Sequence, residues 1–236
     1  MNKNKMMQWL NENTIEPFWE LLFPQSCIIC GKKIEQFNMC VSCDSAFQTL
    51  VLSDFDVELN HTTLINKSHI LDNFYALFFF HKQMKVQKLI HRIKYDGYQE
   101  LGIIYGERLG QELKKKNWNV NAIVPVPMHP KKLKKRGYNQ AELIALGCSN
   151  VLNLPIANNL LIKSQNTKTQ TKLSGFSRVR NSKDVFETQQ TQSEFNHLLL
   201  IDDVFTTGST LVACAKKLKS IEGVSNVSAS TLAMTL

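Results

Sequence analysis

The sequence has no run of 18 or more apolar residues, so no ordinary membrane-spanning helix is expected. Its longest apolar stretch, Phe74 to Phe80, has the length and aromatic content of a strand. The N-terminal segment does not read as a signal peptide, because Asn and Glu interrupt its apolar residues and no small-residue cleavage site follows. A cytoplasmic protein without membrane insertion is the expectation. Internal repeats and low-complexity tracts are missing, as is any helix-turn-helix or other duplex-reading motif.

Acidic residues are scarce after residue 60. Residues 1–60 hold four Lys/Arg and eight Asp/Glu; the remainder holds 24 basic and 12 acidic residues, within an overall net charge of +8. A basic body points to an anionic partner, either the phosphates of a small ligand or nucleic acid. A solvated basic surface that serves solubility is the plain alternative.

Cysteine is also sparse, with six in 236 residues, but four of them are clustered. Cys27-x-x-Cys30 and Cys40-x-x-Cys43 are separated by nine residues. Each CxxC turn lets two sulfurs face one ion, and Gly31 relieves the first turn. Four thiolates suit a closed, structural tetrahedral Zn²⁺ site with no open position for water. A redox pair is the rival reading. Cys148 and Cys214 sit in apolar helical stretches and read as buried small hydrophobes.

Periodicity divides the rest. A short amphipathic helix is expected over 6–23, kinked near Pro17. Phe74 to Phe80 reads as a strand, Met84 to Tyr95 as a helix with Val86, Leu89, Ile90 and Ile93 on one face, and Glu100 to Lys116 as a second helix. Then strand and helix alternate: strand Ala122 to Val126, basic loop Pro127 to Gly137, helix Asn139 to Val151, strand Leu160 to Ile162, polar loop Ser164 to Lys183. A buried strand Leu198 to Ile201, helix Ser209 to Leu218 and strand Val227 to Ala233 complete the order. This alternation predicts an α/β domain with a parallel sheet and ligands at the carboxyl ends of its strands. The division expected is 1–60 for the helix and cysteine module, and 61–236 for the α/β domain.

The most informative segment is HLLLIDDVFTTGST, residues 197–210. An apolar strand runs into two carboxylates, then a hydroxyl-rich turn, then a helix. Asp202 and Asp203 can accept hydrogen bonds from a vicinal diol such as that of ribose. Thr206, Thr207, Gly208, Ser209 and Thr210 can wrap a phosphate with backbone N–H groups and hydroxyls, and Gly208 lets the backbone approach it. The helix N-terminus adds partial positive charge. A capped helix explains a lone TTGS as well; it does not explain the strand, both acids and the turn in direct succession.

These residues resemble the phosphoribosyl-pyrophosphate (PRPP) motif of type I phosphoribosyltransferases. Together with CIIC and CVSC, IKYDG at 93–97 and VPVPMHPKKLKKRGYNQAELIA at 124–145, they resemble in order the ComF family of competence-associated proteins, known also through its GntX members. The sequence departs from that family's pattern at Lys163, where Arg is usual, at Ser182, where an apolar residue is commoner, and at Phe205, where Leu is usual. Lys163 offers a point charge where Arg offers a fork.

The resemblance implies a type I phosphoribosyltransferase-like sheet with flanking helices and a zinc-binding N-terminal module. It implies that the loop after Val126 holds the pyrophosphate end of PRPP, with Lys132 and Arg136 as the chosen contacts and Mg²⁺ accompanying the ligand. A solvated basic loop is the alternative for any single lysine there. Residues 166–181 resemble the mobile loop that closes over PRPP, with Lys168, Gln170, Thr171 and Lys172 as candidates; a plain surface loop is the alternative. Asn139 and Gln140 are expected to fix loop geometry.

Three function classes stay open: a phosphoribosyltransferase with an unidentified acceptor, a non-catalytic PRPP sensor, and a single-stranded DNA-handling protein of DNA uptake that works with other competence proteins. Tyr95 and Tyr98 near Lys94 are the candidate base-stacking residues.

Overall fold

In the computed structural model the described residues are 26–34, 39–52, 70–80, 85–163 and 186–235. The chain divides into two compact units, Met1–Leu50 and Val51–Leu236. The helix expected over 6–23, a boundary at residue 60, and the whole polar loop 164–183 lie outside the described residues.

In the first unit, an antiparallel bridge joins Ser26 to Lys33 around the first CxxC turn. The Cys27 N–H donates to Lys32 O at 2.8 Å and Gly31 N–H to Cys27 O at 2.7 Å. Gly31 takes the left-handed conformation, φ 74°, that closes this turn. The second CxxC opens helix α1 (Val41–Thr49), with Cys40 as its N-cap. Ile28, Ile29 and Phe47 are buried around the cysteines.

The second unit contains β1 (Phe74–Phe79), α2 (Lys85–Tyr95), α3 (Gln99–Lys115), β2 (Ala122–Pro125), α4 (Pro130–Arg136), α5 (Gln140–Leu152), β3 (Leu161–Lys163), β4 (Phe186–Thr188), β5 (His197–Phe205), α6 (Ser209–Leu218) and β6 (Asn226–Met234). β1, β6, β5 and β2 form a sheet in that order, and every pairing is parallel. This is the parallel sheet with flanking helices that the sequence pattern predicts. Leu198, Leu199, Leu200 and Ile201 of β5 are all buried, as four consecutive aliphatics in a doubly covered strand should be. Val86, Leu89, Ile90 and Ile93 form the buried face of α2.

Helices α3 and α5 pack backbone against backbone. A Cβ on Gly106 would strike the Ile144 carbonyl, and one on Gly147 would strike the Ile103 carbonyl. Cys148 fills the same seam, donating its thiol to Gly106 O at 3.2 Å, and burial pushes that thiol up. It is the buried small hydrophobe the sequence suggested.

Two expectations need correction. The basic segment after Val126 is not all loop, because 130–136 is helical. His129 caps it by accepting the Lys131 N–H at 3.1 Å, Pro130 occupies its first turn, and Gly137, φ 85°, closes it with an N–H bond to Leu133 O. The helix has no buried residue, so it carries no apolar period to read. The short strand near 160 also leaves the parallel sheet. β3 pairs antiparallel with β4, an element the sequence pattern had not marked.

Candidate functional site

The site is built where β5 and β2 end side by side. Pro125 pairs with Ile201, and the Val126 N–H donates to Ile201 O at 2.8 Å. This register sets the start of the basic segment next to Asp202 and Asp203, at the carboxyl edge where parallel sheets bind ligands. The strand continues past the two acids to Phe205, and both acids are half-buried. The Asp203 N–H donates to Asp202 Oδ1 at 2.8 Å. Although Asp202 keeps some exposed area, burial of its carboxyl pushes it up to about 7, and the neighbouring Asp203 charge adds to the rise. The Asp203 N–H, Lys94 and Lys163 pull in the opposite direction without cancelling it.

The hydroxyl turn follows at once. Thr206, Thr207 and Ser209 are exposed, and Thr210 is half-buried at the start of α6. Thr207 Oγ1 and Ser209 Oγ lie 2.9 Å apart. Gly208 turns the chain at φ 71°; a Cβ there would lie 2.8 Å from the Phe205 ring. That ring packs on Phe74 at 4.8 Å, so the bulkier residue at 205 forms the floor of the turn. Thr235 fixes the turn from below, its N–H donating to Phe205 O at 2.9 Å. Exposed hydroxyls over a bonded floor, at a helix N-terminus, can receive a phosphate.

Three consecutive residues at the end of α2 reach the other motifs. The Tyr138 hydroxyl donates to Ile93 O at 2.6 Å. Lys94 Nζ lies 2.9 Å from Asp203 Oδ2. The Arg136 guanidinium stands 5.0 Å over the Tyr95 ring. The sequence named Lys94 only as a basic neighbour of Tyr95 and Tyr98; its contact with Asp203 was missed, and the IKYDG motif that contains it was the available signal. Arg136 also donates to Gln140 Oε1, so its guanidinium is held by Gln140 as well as by the Tyr95 ring. Lys132 is exposed on α4.

Asn139 fixes geometry, as expected: its Nδ2 donates to Val126 O at 3.1 Å and its Oδ1 accepts the Ala141 N–H at 3.2 Å, capping α5. Tyr95 is 66% exposed, with His91 4.9 Å away on one contact and Arg136 on another. Tyr98 is half-buried, under Arg92.

Lys168, Gln170, Thr171 and Lys172 lie outside the described residues, but the ends of their segment do not. Lys163 pairs with Phe186 across β3 and β4, and its ammonium sits 5.1 Å from the Phe186 ring. The segment therefore leaves and returns at one place. Lys163 is near enough to Asp202 to lower its carboxyl.

In the first unit, the sulfurs of Cys27, Cys30, Cys40 and Cys43 all lie within 4.8 Å of one another. Cys30 Sγ and Cys40 Sγ are 3.7 Å apart. A tetrahedral zinc with Zn–S bonds of about 2.3 Å has S–S edges of roughly 3.8 Å, so the four ligands fit. Burial works to raise the Cys27 thiol, but N–H donors of Cys40, Cys30 and Ile29 outweigh it and bring it to about 6. Burial, reinforced by the neighbouring thiols, pushes Cys43 in the other direction. N–H donors that favour the thiolate form suit a cysteine that ligates a metal ion.

The second unit is an α/β protein with a parallel sheet and flanking helices, carrying an acid pair and a hydroxyl turn on its carboxyl edge, as the resemblance to phosphoribosyltransferases implies. No family model matches the chain. Individual relatives do. The chain is 29% identical over 203 residues to competence protein F of Haemophilus influenzae, covering 83% of this chain and 84% of that protein. It is 34% identical over 110 residues to competence protein ComFC of Bacillus subtilis, covering 47% and 43%, and 28% identical over 135 residues to the DNA utilization protein YhgH of Salmonella typhi, covering 55% and 59%. The chain is thus similar to competence and DNA utilization proteins, in keeping with the ComF resemblance of its motifs. Among solved structures it is similar to the adenine phosphoribosyltransferase of Trypanosoma brucei, with 14% identity and a TM-score of 0.39 over 70% of this chain and 85% of that one. At that TM-score the likeness adds no argument about ligand.

Proposed function

We propose that the second unit binds PRPP, with Mg²⁺ brought in by the ligand's pyrophosphate, and that the protein acts in DNA uptake, transferring phosphoribose to an acceptor. The observation that carries this reading is the direct succession of Asp202, Asp203 and the Thr206–Thr210 turn, set beside the basic segment by the β2–β5 register. Asp202 and Asp203 accept the two ribose hydroxyls. Thr206, Thr207, Gly208, Ser209 and Thr210 enclose the 5′-phosphate at the N-terminus of α6. Arg136, held by Gln140 and Tyr95, and Lys132 face the pyrophosphate, and Lys172 joins them from the 164–185 segment. When bound, Mg²⁺ supplies positive charge to the leaving pyrophosphate. In the first unit, Cys27, Cys30, Cys40 and Cys43 hold one structural Zn²⁺. The cytoplasm, where PRPP and incoming single strands meet, is the compartment this reading requires, with other competence proteins as partners.

The test is pyrophosphate release from PRPP in the presence of nucleobases, single-stranded DNA or cell extract. PRPP binding without release under every condition would make the protein a sensor, not a transferase.

A second reading has its own observation. Exposed Tyr95 lies between His91 and Arg136, beside a helix carrying Lys131, Lys132, Lys134 and Lys135. An exposed ring among cations suits single-stranded DNA by stacking and phosphate attraction. Charge reversal at Lys131, Lys134 and Lys135 should weaken DNA binding and spare PRPP. Complete displacement of DNA by PRPP, with equal loss of both ligands in the reversal variant, would reduce this to use of the phosphate pocket.

A further inference from the structure

Two adjacent carboxylates at a strand end are an attractive place for a hard divalent cation, which seeks clustered carboxylate oxygens. Here the place is contested. Lys94 Nζ lies 2.9 Å from Asp203 Oδ2, and the two side chains are only 23% and 15% exposed. The other carboxylate feels a second ammonium, Lys163. The acid pair thus lies in the field of two ammoniums, one of them in direct contact with Asp203.

Lys94 does not sit there by chance of a flexible stem. It belongs to the last turn of α2, and that turn is fixed on both sides of it. Ile93 O accepts the Tyr138 hydroxyl at 2.6 Å, and the Arg136 guanidinium stands 5.0 Å over one face of the Tyr95 ring. Asp96, the next residue on, accepts from Arg92 Nη1 at 3.1 Å. The backbone carrying Lys94 is tied to the segment that follows β2, and the acid it meets is on β5.

We infer that Lys94 sets the specificity of the acid pair: its ammonium excludes a free divalent cation, leaving Asp202 and Asp203 to accept neutral hydroxyl donors of an anionic ligand. This rests on reading the pair as a diol acceptor, and it deepens that reading. A diol donates hydrogen bonds and carries no charge, so the ammonium does not oppose it. A bare dication competes with Lys94 for the same oxygen and is repelled by it. The ligand's phosphates gain as well, because two uncompensated carboxylates would repel them. It follows that any divalent ion enters with the phosphates, not ahead of them.

The experiment compares the zinc-saturated full chain as wild type, Lys94→Gln, Lys94→Met, Lys94→Arg, and Lys94→Gln combined with Asp202→Asn and Asp203→Asn. Manganese alone is titrated into each, read as loss of the free-ion paramagnetic resonance signal, and ribose 5-phosphate binding is measured by calorimetry. Wild type and Lys94→Arg should show no manganese site. Lys94→Gln and Lys94→Met should gain one, at least about tenfold tighter than any wild-type binding, and lose ribose 5-phosphate affinity by a similar factor. The triple variant should lose the gained site. A merely structural lysine would produce losses and no gain. The inference is overturned if the neutral variants, with native melting temperatures, gain no manganese site, or if wild type binds manganese equally well at these acids. Failure of ribose 5-phosphate to bind wild type would instead overturn the diol reading itself, and the manganese arm would still decide what Lys94 excludes.

Discussion

The Tyr138 hydroxyl donates to the carbonyl of Ile93 at 2.6 Å, joining the RGYNQ segment to the last turn of α2. Residues 45 positions apart in the chain are thereby fixed next to one another, and Lys94 and Tyr95 are aimed by the same contact. Replacing Tyr138 by Phe keeps the ring and removes the donor. We expect a loss of about 0.5–1.5 kcal/mol in urea unfolding, with a measurable loss of PRPP affinity by calorimetry. Unchanged affinity alongside the stability loss would show that the contact is structural only.

The α3–α5 seam gives a prediction that concerns stability alone. Gly147→Ala drives a methyl into the Ile103 carbonyl. Helix propensity favours the change by about 1 kcal/mol, but overpacking costs typically 1–3 kcal/mol or more, and here the obstacle is backbone. Thermal unfolding should show net destabilisation. A stabilised variant would mean the helices are not in backbone contact.

Asp202 makes binding sensitive to pH. Its carboxyl is raised by burial from 3.8 to about 7, so between those values the folded chain holds a proton that the unfolded chain releases. The contribution of this group to folding stability is therefore full below about pH 4, falls as pH rises towards 7, and is flat above. Ligand binding has the opposite sign, because the ribose hydroxyls need the ionised acid. PRPP affinity should rise between pH 6 and 8, and Asp202→Asn should remove the part of that rise due to the protein. An identical pH profile in the variant would contradict this role for Asp202.

The cysteine cluster should bring one Zn²⁺ per chain through purification. Cys30→Ser should lower zinc content, measured by elemental analysis, and also solubility, since binding energy at such sites is folding energy. Full metal retention in the variant would contradict the four-ligand assignment.

The sequence disclosed elements whose burial imposes a period. The aliphatic run of β5, the buried stripe of α2 and the Ser209–Leu218 helix all stand where periodicity puts them. The acid pair and its turn were legible because they are contiguous. Helix α4 was not, since it buries nothing and is held by end caps alone. β3 and β4 are three residues each, too short for alternation to register, and they find each other across the 164–185 segment. The Lys94–Asp203 contact spans more than a hundred residues, and no local pattern reports such a pairing. Only the fold, which brings the end of α2 over the end of β5, discloses it.

If Asp202 and Asp203 hold the ribose of PRPP, their joint loss must weaken its binding. The deciding measurement is calorimetric titration of PRPP with Mg²⁺ into wild type and the Asp202→Ala/Asp203→Ala variant. Two lost charged hydrogen-bond partners should weaken binding by roughly 2–4 kcal/mol, with the fold intact by circular dichroism. Equal PRPP affinity in a folded double variant would contradict it.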